Sequence, residues 1–582
     1  MTRIAVVDNQ KLKDMQLKKH IQHMCPVNRM GKECITIGEN DGLIIDENLC
    51  TGCGICPKLA PDAIRIINLP EELKQEPIHR YGQNLFALYS MPTPMFGSIV
   101  GILGVNGIGK STAIKILARM LKPNLGNWEK GGSFEALIKR FRGNEAQGFF
   151  EKIEKGQIKV SYKPQHVELI PKSTSGKVSE LLKKVDEKGK MGDYTKILEI
   201  ERILDNDIKN ISGGELQRVA IAAAVLKDAN LNVLDEPTTF LDIKQRVRLG
   251  KFIKGISSEE NSSLIVEHDL IIFDYLTDYA HIMYGKEDTY GVVSGVKPTR
   301  NAINVYLSGY LKEENVRFRD KPVKFEARVP LKGENKQELI SWKSVGKKLG
   351  NFSLSAKEGS IKRGDVIGIL GENGIGKTSF VKILAGVLEK DSGEISENVK
   401  VSYKPQYLEA SDELVAAVLK DALDKYPNQI INPLNIEPLL LKKLNELSGG
   451  ELQRVAIALC LSKDADLYLL DEPSAYLDIE QRLIISRLIR DFAENKNASA
   501  LIVDHDLLFI DYISHKLMVF TGQPGKEGIV RGPFTMEDGM NLFLRELGIT
   551  LRRDELSKMP RVNKEDSFKD REQKENGKLY YS

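Results

Sequence analysis

The chain has 582 residues, which corresponds to roughly four domain-sized units at about 150 residues each. Its 84 basic and 81 acidic residues leave a net charge of +3, which excludes a general affinity for nucleic acid and confines polyanion contacts to local patches. An apolar fraction of 41% and a charged fraction of 28% exclude a disordered or fibrous chain and are typical of a globular protein.

Nothing in the sequence predicts a membrane segment or an export signal. The longest purely apolar run, Val219 to Leu226, is far shorter than the ~20 residues of a membrane-spanning helix. The N-terminal MTRIAVVDNQ lacks the apolar core of a signal peptide and begins with a strand-like pattern. We therefore expect a cytoplasmic protein whose cysteines stay reduced unless a metal binds them.

Five of the six cysteines lie within the first tenth of the chain, and the density of four of them, Cys25, Cys50, Cys53 and Cys56, indicates a metal site. Cys50, Cys53 and Cys56 begin the ferredoxin run C-x2-C-x2-C-x3-C-P, but its fourth position is Ala60. In two-cluster ferredoxins the fourth cysteine of each run ligates the other cluster. The three cysteines therefore need a fourth ligand from elsewhere in the chain.

Cys25-Pro26 is the end of a similar run without its first three cysteines. Crossed ligation completes one ligand set and leaves the other without any cysteine. We predict one [4Fe–4S] cluster bound by Cys25, Cys50, Cys53 and Cys56 in a small α+β ferredoxin-like domain. Zn²⁺ on the same four thiolates is the alternative. Cys34, in a strand-like segment, and Cys460, in a helix-like one, are interpreted as core residues.

Five motifs occur twice in the same order, so the sequence contains a tandem pair of one domain. The first copy holds GILGVNGIGKSTAIKIL from Gly101, VSYKPQ ending at Gln165, ISGGELQRVAIA from Ile211, LDEPTTFLD, and VEHDL around His268. The second copy holds GILGENGIGKTSFVKIL from Gly368, VSYKPQ ending at Gln406, LSGGELQRVAIA from Leu447, LLDEPSAYLD, and VDHDL around His505.

The first copy contains an insertion after its first motif. Lys377 follows Lys110 by 267 residues, but Ser448 follows Ser212 by only 236, so the first copy has about 31 more residues between these motifs. Residues 126–157 contain SFEALIKRFRGNEAQGFFEKI, whose apolar residues recur at helical spacing on both sides of a Gly-Asn break. This pattern predicts a helix-turn-helix insertion, and a lengthened surface loop is the alternative.

Each copy opens with a phosphate-loop motif between a strand-like and a helix-like run, as a P-loop requires. Glycines let backbone N–H groups surround the phosphates, the lysine neutralises β- and γ-oxygens, and the next hydroxyl ligates Mg²⁺. The candidate ATP-binding residues are Gly104, Asn106, Gly107, Gly109, Lys110, Ser111 and Thr112 in the first copy, and Gly371, Asn373, Gly374, Gly376, Lys377, Thr378 and Ser379 in the second.

An Asp-Glu pair follows an apolar run in each copy. Asp235 and Asp471 are placed to hold Mg²⁺, and Glu236 and Glu472 to deprotonate the attacking water. Such a pair is often a solvated strand end, but here both pairs follow a phosphate loop. His268 and His505 occupy equivalent places in the two copies, which favours contact with the γ-phosphate and the attacking water over a structural role.

These motifs together resemble the ATP-binding-cassette (ABC) superfamily, which implies an α/β fold with tandem P-loop ATPase domains. In that family the SGG motif of one cassette caps the nucleotide held by the other. The resemblance implies a first site of Lys110, Ser111, Gln165, Asp235, Glu236 and His268 facing Ser448, Gly449 and Gly450, and a second site of Lys377, Thr378, Gln406, Asp471, Glu472 and His505 facing Ser212, Gly213 and Gly214. Each SGG opens a helix whose N–H groups suit a phosphate.

The whole chain is similar to the RNase L inhibitor family, the archaeal and eukaryotic ribosome-recycling ATPases of ABC subfamily E. Besides the cysteines and cassettes, the shared segments are NLP, HRYG, the inserted helix pair, GYL, FLRELGIT and RVNK. Family members carry two [4Fe–4S] clusters, and at the family spacing the remaining cysteines fall at Leu12, Leu17 and Ile21 in this chain. The sequence therefore departs from the family at the second cluster.

The predicted domains follow from these motifs. They are a ferredoxin-like domain at 1–75, a first ABC domain at 76–300 with the insertion at about 126–157, a hinge at 301–330, a second ABC domain at 331–547 and a charged tail at 548–582. The composition of the tail is typical of disorder, but its arginines and terminal tyrosines leave open an ordered strap across a domain interface.

Two basic patches are candidates for contact with ribosomal RNA. One is Lys139, Arg140 and Arg142 in the insertion, and the other is Arg317, Arg319, Lys321 and Lys324 in the hinge. Ordinary solvated faces are the alternative, which is weaker for the insertion because the second cassette folds without these residues.

The family resemblance implies a monomeric ATPase that splits ribosomes after termination or stalling and stays with the small subunit. The implied partners are the ribosome, a release factor or Pelota-like factor, and initiation factors. One alternative is a soluble ATP-binding subunit of an ABC transporter or another translation-associated tandem ABC ATPase, although a transporter subunit has no use for a ferredoxin-like head. A redox or electron-transfer protein is a third class, but one cluster without a second redox centre does not favour it.

Overall fold

A computed structural model describes most of the chain. It covers residues 2–7, 9, 11–38, 41–46, 49–61, 63–69, 76–82, 85–129, 131–142, 145–319, 321–325, 337–396, 399–406 and 411–581. No helix within these ranges combines the length and the apolar character needed to cross a membrane.

The N-terminal unit is a small α+β fold. Its strands are Thr2–Val7, Ile35–Ile37, Leu43–Ile45 and Ile64–Leu69, and its helices are Met15–Met24, Pro26–Arg29 and Ile55–Leu59. The first strand pairs antiparallel with the last, and the two short strands form a hairpin. These elements enclose an apolar core of their own, so the unit has a hydrophobic core separate from those of the cassettes.

The first cassette is built on a sheet whose central part is parallel. The central strands lie in the order Tyr279–Lys286, Ile99–Leu103, Ser262–Val266, Leu231–Asp235 and Val160–Lys163, and the outer strands are His79–Arg80, Ala87–Leu88, Tyr290–Val293 and Lys297–Pro298. The helices are Lys110–Leu117, Phe134–Arg140, Glu145–Glu154, Ile170–Ser173, Val178–Val185, Met191–Ile197, Gly213–Leu226, Ile243–Ile256, Leu270–Leu276 and Thr299–Ser308.

The second cassette repeats this sheet order. Its strands run Ser392–Ile395, Glu338–Leu349, Phe352–Lys362, Glu527–Thr535, Lys516–Gln523, Val366–Leu370, Ser499–Val503, Leu467–Asp471 and Val401–Lys404. The helices are Lys377–Leu384, Val415–Val418, Lys420–Lys425, Gly449–Ser462, Ile479–Asn495, Leu507–Ile513 and Met536–Leu547. In both cassettes the carboxyl ends of the parallel strands meet at one edge, where ligands bind in open α/β sheets.

The insertion in the first cassette is a pair of helices, Phe134–Arg140 and Glu145–Glu154, and the Gly-Asn break between them lies outside the described residues. The rings of Phe141 and Phe150 stack at 5.6 Å between centroids, and Phe150 is buried in the cassette core. The apolar side of the pair is therefore part of the cassette rather than a free surface.

The C-terminal tail is an ordered strap, with strands Leu551–Arg553 and Pro560–Val562 and helix Phe568–Glu575. Arg561 is 1% exposed and donates to Asp274 of the first cassette at 2.7 Å. At the other end, Tyr580 donates to Asp511 of the second cassette. The composition suggested disorder, but these buried partners for the polar side chains, and the burial of Tyr580, hold the tail across both cassettes.

Candidate active site

Both phosphate loops have the backbone that the motif requires. Gly107 and Gly109 have φ of 70° and 90°, and Gly374 and Gly376 have φ of 71° and 94°. A Cβ on Gly109 would lie 2.2 Å from the ring of Phe86, so only glycine fits there. Each loop leads into a helix that begins at its lysine, which directs the N-terminal backbone N–H groups toward a phosphate.

The two loop lysines are buried and bind the loops themselves. Lys110 Nζ donates to the carbonyls of Gly104 and Val105 at 2.8 and 2.7 Å. Lys377 Nζ makes the same contacts with Gly371 and Glu372. Burial destabilises the charged form of each ammonium and lowers its pKa to about 8. A bound phosphate would stabilise the charged form, because a nearby opposite charge offsets the cost of burial.

Asp235 and Asp471 are the last residues of two strands, each separated by one strand from the strand that leads into the phosphate loop. Thr378 Oγ1 donates to Asp471 Oδ2 at 2.8 Å, so the two predicted Mg²⁺ ligands of the second site already touch. Burial and the charge of Glu236 raise the pKa of Asp235 to about 6, and burial raises that of Asp471. A divalent cation would stabilise both carboxylates in their charged form.

The carboxylate that follows each aspartate is held by a glutamine and a histidine. Gln165 Nε2 donates to Glu236 Oε1 at 2.7 Å, and His268 Nε2 lies 3.3 Å from the same oxygen. In the second site Gln406 Nε2 lies 2.8 Å and His505 Nε2 lies 3.6 Å from Glu472 Oε1. The predicted base, glutamine and histidine of each cassette therefore form one cluster.

The two clusters differ in their electrostatics. Burial alone would raise the pKa of Glu236, but the hydrogen bond and charge of His268, with Lys110 and Lys163, lower it to about 2. In the second site burial and the charge of Asp504 raise the pKa of Glu472. Burial, with the charge of Lys377, lowers the pKa of His505 well below its usual value. The base of the first site is thus held charged more firmly.

The SGG motifs begin long helices. Ser212 and Ser448 are the N-caps of Gly213–Leu226 and Gly449–Ser462, and each forms a capping box with the glutamate three residues later. The two glycines that follow each serine have no side chain to cover the helix N-terminus. Its backbone N–H groups and the helix dipole there favour an anion. The serines therefore orient the first turn of each helix.

A cavity of about 1020 Å³ between the cassettes brings the predicted residues together. It is lined by Asn373, Gly374, Gly376, Lys377, Thr378, Ser379, Gln406, Asp471, Glu472 and His505 with Gly213 and Gly214, and by Asn106, Gly107, Gln165, Glu236 and His268 with Ser448, Gly449 and Gly450. A second cavity of about 400 Å³ is lined by Gly109, Lys110, Ser111, Thr112 and Asp235 of the first cassette. Three of the predicted residues, Gly104, Ser212 and Gly371, line neither cavity.

Direct bonds cross from the first cassette to the second phosphate loop. Asn373 N donates to Asp242 Oδ2 at 2.9 Å, and Lys244 Nζ lies 2.8 Å from Glu372 Oε1. At the other site, the charge of Asp478 acts on Lys110 and opposes the effect of burial on its pKa. The repeated motifs LDEPTTFLD and LLDEPSAYLD end in these two aspartates, a signal that sequence reasoning did not use.

Aromatic residues beside the phosphate loops were also missed. Tyr81 and Phe86 line the smaller cavity, and Tyr81 OH lies 3.2 Å from Thr112 Oγ1. In the second cassette Phe352 lies against Gly376 and lines the larger cavity. These rings offer a stacking surface for a nucleotide base. The segment HRYG contains Tyr81, but nothing in its spacing indicates that the ring faces the site.

Comparison with known proteins shows the family to which the chain belongs. A family described as ABC transporter matches residues 95–239 and 354–475. Translation initiation factor RLI1 of Saccharomyces cerevisiae is 41% identical, and the match covers 100% of this chain and 98% of RLI1. This chain belongs to the RNase L inhibitor family, subfamily E of the ABC ATPases. Its two cassettes are accordingly ATP-binding ABC domains with ATPase activity.

Two solved structures of the family match over most of the chain. The archaeal ribosome recycling factor aABCE1, in complex with the ribosomal stalk protein aP1, is 51% identical with a TM-score of 0.83 and covers 87% of this chain and 99% of its own. ABCE1 in a ribosome-bound assembly with archaeal Pelota is 49% identical with a TM-score of 0.92 and covers 100% and 99%.

The cysteines that resemble the family's cluster ligands lie near one another. Cys25 precedes helix Pro26–Arg29, Cys56 lies in helix Ile55–Leu59, and Ala5 N donates to Cys50 Sγ at 3.3 Å. Burial, with the charges of Cys50 and Cys53, raises the pKa of the Cys56 thiol to about 12. Four cysteine thiols are the donor set that a [4Fe–4S] cluster uses, so these residues fit this group by their chemistry.

Within the described ranges, no set of three or more His, Cys, Asp or Glu side chains is already arranged to hold a metal ion. Cys34 is 2% exposed, and it interacts with Cys25 through a side-chain hydrogen bond. Burial raises the pKa of its thiol. Cys460 is likewise buried, within helix Gly449–Ser462.

The positions of the family's second cluster are apolar here. Leu12, Ile21 and Ala60 are 2%, 1% and 7% exposed, and Leu17 packs beside them in the core of the N-terminal unit. Because these side chains fill the core and carry no metal-binding atom, the residues do not fit a second cluster.

Two arginines of the predicted RNA patches point inward. Arg319 is 8% exposed; its guanidinium donates to Tyr306 O at 2.6 Å and lies 3.3 Å from Glu480. Arg140 is half-buried, and burial lowers its pKa. The prediction of an RNA-facing side chain was therefore wrong for Arg319, and it stays a prediction for Arg140. Lys139 and Arg142 are exposed.

Proposed function

We propose that this chain is an ATP-driven ribosome-splitting factor that acts in the cytoplasm after termination or stalling and stays with the small subunit. The observation that carries the ATP-dependent part is the cavity shared by the phosphate loop of one cassette and the SGG helix of the other. The ribosomal part rests on the 49% identity, across the whole chain, to ABCE1 in a ribosome-bound assembly with Pelota. Its partners would be the ribosome and its RNA, a Pelota-like or release factor, and initiation factors.

Each site hydrolyses ATP with residues from both cassettes. In the first site, Lys110 and the loop N–H groups bind the β- and γ-phosphates, and Ser111 and Asp235 would hold Mg²⁺, which would neutralise the phosphate charge. Glu236 takes a proton from the attacking water, while Gln165 and His268 orient its carboxylate. The N-terminus of the helix that Ser448 caps contacts the γ-phosphate from the opposite side.

ATP therefore closes the cassettes because the γ-phosphate joins the two halves of each site. Loss of that phosphate removes the anion to which the SGG helix binds, so hydrolysis releases the closed form. Closure would move the N-terminal unit, and this motion would separate the ribosomal subunits. The strap around Arg561 would keep the two cassettes together as a single-chain pair.

Cys25, Cys50, Cys53 and Cys56 would hold one [4Fe–4S] cluster in the N-terminal unit. A bound cluster would crosslink the segment that leads into helix Pro26–Arg29, where Cys25 lies, to helix Ile55–Leu59, which contains Cys56. The chain itself supplies the apolar core around Ile21 that fills the place of a second cluster. The single cluster would thus have a structural role in a rigid N-terminal unit.

A subunit-splitting assay tests the function. Ribosomes incubated with the protein, a Pelota-like factor and ATP should separate into subunits in a sucrose gradient, with the protein on the small subunit. The matched control is the double variant Glu236→Gln/Glu472→Gln, which should bind ATP but lose about 10²–10⁴ in hydrolysis rate. Intact ribosomes in the wild-type reaction would refute the splitting role, and unchanged hydrolysis in the double variant would refute the role of the glutamates.

A further inference from the structure

Each cassette contains a buried lysine that the phosphate chemistry does not use. Lys163 and Lys404 are the lysines of the repeated VSYKPQ motif, and they are 0% and 1% exposed. Lys163 Nζ donates to the backbone carbonyls of Asp235 and Glu236 at 2.8 and 3.1 Å. Lys404 Nζ donates to the carbonyls of Asp471 and Glu472 at 2.7 and 3.4 Å.

The peptide groups that these lysines hold are strained. Glu236 and Glu472 have φ of 46° and 47°, in the left-handed region that residues with a side chain rarely adopt. A backbone in this region persists only where its surroundings fix it, and such strain concentrates at functional sites. In both cassettes, the glutamate N–H donates to a neighbouring strand, to Val266 O and to Val503 O.

A second donor reaches the same carbonyl. Gln217 Nε2 donates to Glu236 O at 2.8 Å, and Gln453 Nε2 donates to Glu472 O at 2.5 Å. Both glutamines are buried and lie one turn into the SGG helices. Each glutamate carbonyl therefore accepts two side-chain hydrogen bonds, the same in both copies, one from a strand and one from a helix.

We propose that Lys163 and Lys404 are positioning residues for ATP hydrolysis: with Gln217 and Gln453 they fix the left-handed peptide that aims the general-base glutamate at the attacking water. This inference rests on the proposed function, because it takes Glu236 and Glu472 as the bases. The ammonium is suited to the task because it donates to two successive carbonyls at once.

The bonding partners of these lysines distinguish a positioning role from a purely structural one. A lysine that served only the fold would be expected to pair with a carboxylate or reach solvent, whereas Lys163 donates to the backbone carbonyls of Asp235 and of the predicted base Glu236.

The arrangement also links the two sites. Gln217 lies in the helix whose N-terminus faces the second phosphate loop, and its amide holds the base of the first site. Gln453 does the same in the opposite direction. A movement of the SGG helix when it contacts a γ-phosphate is therefore transmitted to the base of its own cassette through one hydrogen bond.

Backgrounds with one active site test the proposal. In the Glu472→Gln protein, in which only the first site has its base, Lys163→Met should lower kcat by about 10-fold or more, since misplacing a catalytic group by about 1 Å costs up to 10²-fold. The dissociation constant for a fluorescent ATP analogue should change less than about twofold, because the lysine touches no phosphate-binding group. Lys404→Met should have the corresponding effect in the Glu236→Gln protein.

The crossed combinations separate positioning from folding. Lys163→Met in the Glu236→Gln protein should cost much less than in Glu472→Gln, because the base that it positions is already absent. Ser161→Ala and Ser402→Ala are matched controls, since each serine is buried in the same strand and bonds elsewhere, to Asn232 and to the Cys460 carbonyl. These controls should not lower kcat.

Equal losses in both backgrounds, a parallel loss of ATP binding, or equal losses in the serine controls would overturn the proposal. If Lys163→Met does not fold, Gln217→Leu removes the second donor and should give the same site-specific loss. Unchanged hydrolysis in the Glu236→Gln/Glu472→Gln protein would instead refute the base assignment, so the two failures can be told apart.

Discussion

Lys244 and Glu372 form an ion pair at 2.8 Å across the cassette interface, and the duplicated positions on the other side are Glu480 and Val105, which cannot. Glu480 instead lies 3.3 Å from Arg319 of the hinge. The two composite sites are therefore held differently: a cassette-to-cassette pair at the second site and a hinge contact at the first.

Reversing the charge of Lys244 should slow closure of the second site. The pair is partly exposed, with Lys244 42% and Glu372 25% accessible, so its contribution is at most about 1 kcal/mol, or a few-fold in rate. Lys244→Glu should reduce ATP occlusion at the second site by that factor, and Lys244→Glu/Glu372→Lys should restore it. Both variants are compared with the wild type by measuring the labelled ATP that stays bound to the protein retained on a filter. If the double variant occludes no more ATP than Lys244→Glu alone, the ion pair does not have this role.

The pH–activity profiles of the two sites should differ in their acid limbs, the part of the profile in which activity falls as the pH decreases. A general base must be deprotonated, so its activity is lost as the pH falls through its pKa. The pKa of Glu472 is raised, and that of Glu236 is lowered to about 2. In single-turnover assays, the Glu236→Gln protein, which relies on Glu472, should therefore lose activity at a higher pH than the Glu472→Gln protein.

Asp504→Asn provides the control for this difference, because the charge of Asp504 contributes to the raised pKa of Glu472. In the Glu236→Gln background this substitution should move the acid limb to lower pH. Superimposable acid limbs for the two single-site proteins would show that the electrostatic difference does not reach catalysis.

Protein purified without oxygen should contain about four irons and four sulfides per chain, the content of one cubane cluster. Cys25→Ala should abolish the cluster as fully as Cys53→Ala, although Cys25 is distant in sequence. Cys34→Ala is the matched control: its thiol is buried, like that of Cys25, and lies next to it, but we assign it to the core. An iron content near eight, or zinc without sulfide, would rule out the single cluster.

Lys139 and Arg142, the exposed basic residues of the insertion, are expected to contact ribosomal RNA. Reversing both to glutamate should weaken binding to small subunits and flatten its salt dependence, because fewer counterions are released. Lys420→Glu/Lys463→Glu on the second cassette makes the same change in net charge at exposed positions and should leave the salt slope unaltered. Equal slopes for the two double variants would show that the insertion does not face RNA.

The sequence by itself determined the catalytic chemistry. Phosphate loops, Asp-Glu pairs and SGG motifs are local patterns, because a loop between a strand and a helix places its glycines and lysine by backbone geometry alone. Their duplication identified the tandem cassettes, and cysteine spacing predicted one cluster. The same local reading could not say that Arg319 is buried, because its partner Glu480 is distant in the sequence.

Only the tertiary structure decided how the distant parts meet. The charged composition of the tail predicts disorder, but the structure shows it packed against both cassettes. Arg561 forms buried ion pairs with Asp274 and Asp554, and Tyr580 donates a hydrogen bond to Asp511. The role inferred for Lys163 likewise has no local signal, since a lysine at the end of a strand is usually solvated. It is buried here because two parallel strands place the carbonyls of Asp235 and Glu236 within reach of its ammonium, and contacts between strands depend on the fold rather than on spacing along the chain.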